Sequence, residues 1–192
     1  MSDNKVKFGL SNVHFAKITE SDGVITYATP VALPGAVSLS ADPEGETTPF
    51  YADNIKYYIA TSNQGYTGDL ELAMTPDEFL TTILGQTTDT NGALFESSDD
   101  VNARFALMGE IEGDKKKRRF VYFDCTAQRP TTSANTLEES KEPQTDTISI
   151  TMSARSTDKA IKAVIEPTTE NQAVYDTFFT RVYEKDEVVA SV

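Results

Sequence analysis

The chain has 192 residues, 39% of them hydrophobic and 24% charged, the profile of a folded globular domain rather than a disordered one. Thirty acidic against 17 basic side chains give a formal net charge of −13, a field that repels phosphate and argues against a general nucleic-acid binder. A single cysteine excludes an intrachain disulfide framework, and no run approaches the ~20 apolar residues of a membrane helix.

In chain order, the N-terminal MSDNKVKFGLS lacks an apolar stretch of signal-peptide length, which predicts synthesis in a cytosol and no membrane insertion. Residues 1–9 are expected to form a flexible arm, 10–184 one β-rich domain, and 185–192 a flexible acidic tail. Short β-branched, aromatic or alternating segments predict strands at Val13–Ile18, Val24–Ala28, Ala36–Ala41, Tyr57–Thr61 and Leu70–Met74. In the third of these, Val37, Leu39 and Ala41 are expected to face a core, with Ser38 and Ser40 on the opposite side. The segment MTPDEFLTTILG predicts a helix. Thr75 and Glu78 are spaced as a capping box, Pro76 takes the first helical position, Met74 and Phe79 suit a hydrophobic staple, and Gly85 ends the helix.

Further strands are expected at Ala103–Ile111, Phe120–Ala127 and Thr147–Ala154. The last alternates cleanly: Ile148, Ile150, Met152 and Ala154 against Thr147, Ser149, Thr151 and Ser153. Thr131–Asp146 is a long polar loop, and Thr169–Val182 carries a second helical pattern with Gln172 as a capping partner, although its later half, FFTRVY, reads equally well as a strand. Many short strands with one or two flanking helices predict a mainly β fold, an antiparallel sandwich or barrel.

Chemistry-bearing patterns are scarce. His14, the sole histidine, sits in the alternating run VHFAKI and reads as a strand residue. Cys125 lies in the apolar run FVYFDCTA, where an inert buried thiol is expected. Asp89-Thr-Asn91-Gly92 has its glycine too early, and no closing glutamate, for a calcium loop, and reads as a turn. Asp99/Asp100 read as solvated carboxylates, and so do Asp69/Glu71, which share one side of a strand. No catalytic residue, metal ligand or cofactor site is predicted, and the chain is not read as an enzyme.

The charge run Lys115–Arg119 in GDKKKRRFVYFDC stands out against this acidic background. Gly113-Asp114 is a turn dipeptide between two strand-like runs, so the cations are placed at a hairpin tip and the start of the returning strand. A solvated tip, a contact with an acidic surface of another subunit, and a nucleic-acid grip all compete; the last lacks an aromatic platform.

Two long stretches resemble one family. PGAVSLSADPEGETTPFYADN, continuing through IKYYIATSNQGYTGDLELAMTPDEFLTTILG, is similar to the major tail proteins of long-tailed phages with flexible, non-contractile tails. FALMGEIEGDKKKRRFVYFDCTAQRP and ESKEPQTDTISITMSAR resemble the same family in the same order. The resemblance implies a virion protein, made in the bacterial cytoplasm, that forms stacked hexameric rings as the tail tube. It also implies partners: a tape-measure protein, a tail terminator, baseplate or initiator proteins, and DNA in transit. On that reading Ser38, Ser40, Ser149, Thr151 and Ser153 are expected to face the lumen, with Asp69 and Glu71 beside them. Lys115, Lys116, Lys117, Arg118 and Arg119 are expected to meet Asp42, Glu44 and Glu46 of a neighbour. The alternative is a monomeric β-sandwich binding module of carbohydrate type, against which stand the absence of Trp and the placement of most Tyr and Phe in strands that look buried.

Overall fold

The computed structural model describes residues 4–136 and 143–186. Those parts of the expected arms at 1–3, 137–142 and 187–192 lie outside the described residues. In chain order the strands are β1 (Lys7–Ser21), β2 (Val24–Tyr27), β3 (Val31–Ala32), β4 (Ala36–Leu39), β5 (Asp42–Glu44), β6 (Thr47–Ala52), β7 (Ile55–Thr61) and β8 (Gly65–Leu72). Helix α1 (Asp77–Thr82) follows. Then come β9 (Thr87–Thr88), β10 (Leu94–Phe95), β11 (Phe105–Gly113), β12 (Arg118–Ala127), β13 (Asp146–Ser153), β14 (Lys162–Ile165) and helix α2 (Gln172–Asp176).

Ten strands build one antiparallel sheet in the order β2-β1-β11-β12-β13-β8-β4, with β3 added to β1, β5 to β8 and β14 to β12. The fold is mainly β, as the strand pattern predicts. Strand β12 serves two neighbours on one edge: Arg119–Tyr122 pair with β14, and Asp124–Ala127 pair with β13. The sheet curls until the chain after β3 meets β1, where the Leu33 N–H donates to the Val13 carbonyl at 2.7 Å.

The concave side holds the main core. Leu70 and Leu72 of β8, Ile148, Ile150 and Met152 of β13, and Phe105 and Leu107 of β11 are buried there against Phe79 and Ile83 of the α1 segment. Phe79 sits edge-on to both Phe15 (5.2 Å) and Phe105 (5.5 Å), a favoured aromatic geometry. A second apolar cluster forms on the other side of β1, β11 and β12, where Ala16, Ala106, Met108, Val121 and Phe123 are covered by Phe178 and Val182. Both faces of β11 and β12 are therefore dry, and their sequences read as continuous apolar runs instead of alternating ones.

Arg155 fixes this covering segment. It is 5% exposed, grips Asp158 through two nitrogens at 2.7 and 2.8 Å, and reaches Glu184 at 2.8 Å. Its guanidinium also lies over the Phe123 ring at 4.4 Å. The hydrogen bonds from Arg155 hold the Asp158 carboxyl well below the usual carboxylate range.

Several local expectations need correction. Thr75 does not cap α1. It is buried, its N–H donates to Asp146 Oδ2 at 2.8 Å, and its Oγ1 makes no hydrogen bond among the described residues. Met74 is 74% exposed, so no staple forms with buried Phe79. The helix ends at Thr82 with Ile83 as its C-cap, before Gly85; Gly85 then adopts φ +77°, and the Gln86 N–H closes back onto the Leu80 carbonyl at 3.2 Å. Thr169 does not open α2. Asn171 and Thr168 instead bond reciprocally, and the helix is one short turn after which Phe178 and Val182 still reach the core. In β4 a bulge between Ala36 and Ser38 shifts the alternation, so Ala36 and Leu39 turn inward and Val37 is 53% exposed.

Candidate functional site

Among the described residues, β8 and β13 leave their outer face uncovered. Along β8, buried Leu70 and Leu72 alternate with Thr67, Asp69 and Glu71; along β13, buried Ile148, Ile150 and Met152 alternate with Thr147, Ser149, Thr151 and Ser153. The register places Ser149 opposite Asp69, Thr147 opposite Glu71, and Thr151 opposite Thr67. On the outer side of β8, Ser38 pairs with Glu71, and Ser40 bonds Asp69 through the Asp69 N–H at 2.9 Å. The hydroxyls expected to share an environment from sequence thus do share one sheet face, together with Asp69 and Glu71.

The polar groups on this face point their protons at carboxylates. Glu71 accepts from Thr145 Oγ1 at 2.7 Å and Ser38 Oγ at 2.9 Å, and these bonds hold its carboxyl below the usual value. Asp69 accepts from Ser149 Oγ at 2.7 Å, and Glu44 accepts from Thr67 Oγ1 at 3.1 Å. No Lys or Arg occurs in β4, β5, β8 or β13, whereas Asp42, Glu44, Asp69, Glu71 and Asp146 all do. Carboxylate lone pairs and saturated hydroxyls therefore meet the solvent. Gly68 lets the next segment lie close: a Cβ there would fall 2.1 Å from the Ser40 carbonyl oxygen.

A second surface lies between two of these strands in the chain. Between β5 and β8 the chain continues as the β6–β7 hairpin, whose strands pair with each other and with no other strand among the described residues. Its two-residue turn, Asp53-Asn54, has φ of 51° and 61°, the positive values that a type I′ hairpin requires. Phe50, Tyr51, Ile55, Tyr57, Tyr58 and Ile59 are each between 53% and 71% exposed. The pair Phe50/Tyr58 and the adjacent pair Pro49/Ile59 must lie on opposite faces, so both faces of the hairpin are apolar. Asp42, Glu44 and Glu46 stand at its foot. Sequence reasoning identified β7 but missed β6 and the exposure. The signal was present in TTPFYADNIKYYIAT: two apolar runs around an Asp-Asn turn, apolar on both alternating sides.

The basic run sits at the β11–β12 tip, as its turn dipeptide predicts. Lys117, Arg118 and Arg119 have carboxylate partners within the chain. Lys117 Nζ and Arg119 Nε contact the two oxygens of Glu110, at 3.1 and 3.0 Å, and Arg118 Nε contacts Glu166 at 2.8 Å. Glu110 is only 2% exposed. Burial pushes its carboxyl up, but the hydrogen bonds and charges of Arg119 and Lys117 outweigh that and hold it below the usual carboxylate value. Arg119 lies over the rings of Tyr175 at 3.9 Å and Phe179 at 4.8 Å, and it also donates to the Tyr175 carbonyl. Much of the positive run thus compensates one buried carboxylate and docks the α2 segment. Asn4 straps the turn from outside: its Oδ1 accepts the Lys115 and Lys116 N–H groups, and its Nδ2 donates to the Lys116 carbonyl. The Lys5 N–H bonds Asp114 at 2.8 Å, which adds Lys5 and Lys7 to the basic tip.

The remaining sequence candidates take structural places. His14 is half-buried in β1, stacked on Phe179 at 4.7 Å with Nδ1 against the Asn12 carbonyl. Cys125 is fully buried and desolvation pushes its thiol far up. Asp89 organises the β9–β10 turn by accepting the Asn91 and Ala93 N–H groups, and Asp100 accepts the Ser97 N–H in a turn. Among the described residues no group of three or more His, Cys, Asp or Glu could hold a metal ion, and no helix is long and apolar enough to cross a membrane.

No protein-family model matches the chain, and no curated protein matches it. Among solved structures the chain is similar to the anti-feeding prophage cap, described as the AFP tube terminating cap. The TM-score is 0.46 and the sequence identity 11%, over 86% of this chain and 97% of that chain.

Proposed function

We propose that the chain is a self-assembling subunit of a phage-type tail tube, stacking as hexameric rings around a channel through which DNA passes. The observation that carries this reading is one juxtaposition: a hydroxyl and carboxylate face on strands without Lys or Arg lies next in the chain to a two-faced apolar hairpin that pairs with no other strand among the described residues. The sequence resemblance to major tail proteins supports it.

A conduit for DNA must not hold its cargo, because every phosphate met by a fixed cation releases counterions and adds affinity. The face formed by Ser38, Ser40, Asp69, Glu71, Ser149, Thr151 and Ser153 has the required chemistry, and in this reading it lines the lumen. A free-standing two-stranded hairpin is marginal in water, and contiguous exposed apolar patches mark interaction surfaces. Covering the hairpin with other copies stabilises the assembly by about 1.5–3 kcal/mol for each side chain fully buried. Two different surfaces in contact also suit the heterologous packing that a closed ring requires. The tape-measure protein, a tail terminator and baseplate or initiator proteins would be its partners in a virion.

A second reading has one observation in its favour. Phe50, Tyr51, Tyr57 and Tyr58 are exposed aromatics that could stack on sugar rings in a monomeric binding module. Concentrating the purified chain separates the two. Sedimentation to large species, with rings or hollow tubes by negative-stain microscopy, supports the tube. A monomer at all concentrations that binds an immobilised glycan through these aromatics supports the module.

A further inference from the structure

We propose that the acid-footed β6–β7 hairpin of one copy docks on the basic tip and N-terminal edge of a second copy, an inference that rests on the assembly reading above.

The hairpin is a largely apolar blade, with Asp53 and Lys56 at its turn end, on an anionic base. Phe50, Tyr58 and Ile59 are more than half exposed, and Asp42, Glu44 and Glu46 at its foot form no ion pair among the described residues. The opposite combination occurs elsewhere on the same chain. Asn4 and Lys5 strap residues 4–8 to the β11–β12 tip, which sets Lys5 and Lys7 beside Lys115. On the same segment Val6 is 52% and Phe8 66% exposed. A groove lined by Lys5, Val6, Lys7, Ile111, Glu112 and Arg118 opens there, with one carboxylate among these apolar and basic residues.

Lys117, Arg118 and Arg119 are already paired with Glu110 and Glu166, so they are not the cations this partner uses. Lys5, Lys7 and Lys115 form no ion pair among the described residues and are all exposed. Apolar matches apolar and anionic foot matches cationic frame, while a copy in any register that set foot against foot would place like charges together. The two surfaces differ, so each copy offers a hairpin and receives one.

Charge exchange tests this with full-length protein. One variant carries Glu44→Lys and Glu46→Lys; the other carries Lys5→Glu and Lys7→Glu. All four positions are exposed, and thermal melts of each variant monitor folding. Each variant alone is expected to need a concentration higher by roughly tenfold or more to assemble, because its own foot and frame repel. An equimolar mixture is expected to recover wild-type assembly, since alternating copies restore every contact. The neutral variant Glu44→Gln/Glu46→Gln is expected to weaken assembly and flatten its salt dependence. Wild-type assembly with both charge variants unaffected, or with a mixture that fails to recover, overturns the docking surface while leaving the tube reading intact. Failure of the wild type itself to assemble, with an initiator complex added as well as without, overturns both.

Discussion

Replacing Glu110 by Gln removes a negative charge from a position 2% exposed, where it faces Lys117, Arg119, Ser11 and Asn12. Arg119 bears most of the loss, because its side chain is 16% exposed and depends on Glu110 for a charged partner. A hydrogen bond to a charged group contributes about 1.5–3 kcal/mol. Lys117 is half exposed and recovers water, so its share is about 0.5–1 kcal/mol. The amide keeps one acceptor, and Arg119 keeps its stack on Tyr175. The expected cost at pH 7 is therefore about 3 kcal/mol, within reach of the 3–5 kcal/mol typical of a broken buried pair. For a chain of this length it lowers Tm by about 6–12 °C.

The pH dependence follows from the sign of the shift. The folded-state pKa of Glu110 lies below its unfolded value, so its contribution is fully present above the unfolded value of about 4.3 and fades as pH falls through the folded one. The stability gap between wild type and Glu110→Gln should stay constant from pH 7 down to about 4.3 and close as pH falls from there through the folded pKa. Urea unfolding of monomeric protein at several pH values measures it, with sedimentation confirming that neither sample has assembled. A cost under about 1 kcal/mol, or a gap that persists unchanged into strong acid, refutes the assignment of the basic run to this buried carboxylate.

Phe79→Ala should cost about 3–5 kcal/mol in the same assay, because the ring is fully buried between Phe15 and Phe105. Phe50→Ser with Tyr58→Ser should leave monomer stability within about 0.5 kcal/mol of wild type yet abolish sedimentable assembly, since both side chains already face water. Asp69→Lys with Glu71→Lys should preserve folding and assembly while making tubes retain double-stranded DNA in a salt-dependent manner, read by co-sedimentation. Cys125 should resist a thiol reagent until the protein is unfolded, because its thiolate is disfavoured and its sulfur inaccessible.

Legibility followed the physics of each segment. In β13, Ile148, Ile150 and Met152 against Ser149, Thr151 and Ser153 encode which side is dry, because a strand buried on one face must alternate. The same reasoning found the outward side of β8 in Asp69 and Glu71. It failed at β4, where the bulge after Ala36 moved Val37 outward, an event no local pattern encodes. It failed at Thr75, whose capping-box spacing is local, whereas its actual partner Asp146 is 71 residues away. The basic run shows the same limit. Its place at a hairpin tip was readable from Gly113-Asp114, but Lys117 and Arg119 converge on Glu110 only after β11 and β12 pair. Lys5 and Lys7 join the tip through Asn4, a contact across more than a hundred residues that spacing cannot reveal.

Negative-stain electron microscopy of the concentrated full-length chain, beside sedimentation of the same sample and with an initiator complex added in a parallel arm, tests the central claim most directly. The account predicts stacked rings with a hollow centre, absent from the Phe50→Ser/Tyr58→Ser variant. A protein that stays monomeric in both arms at every concentration contradicts it.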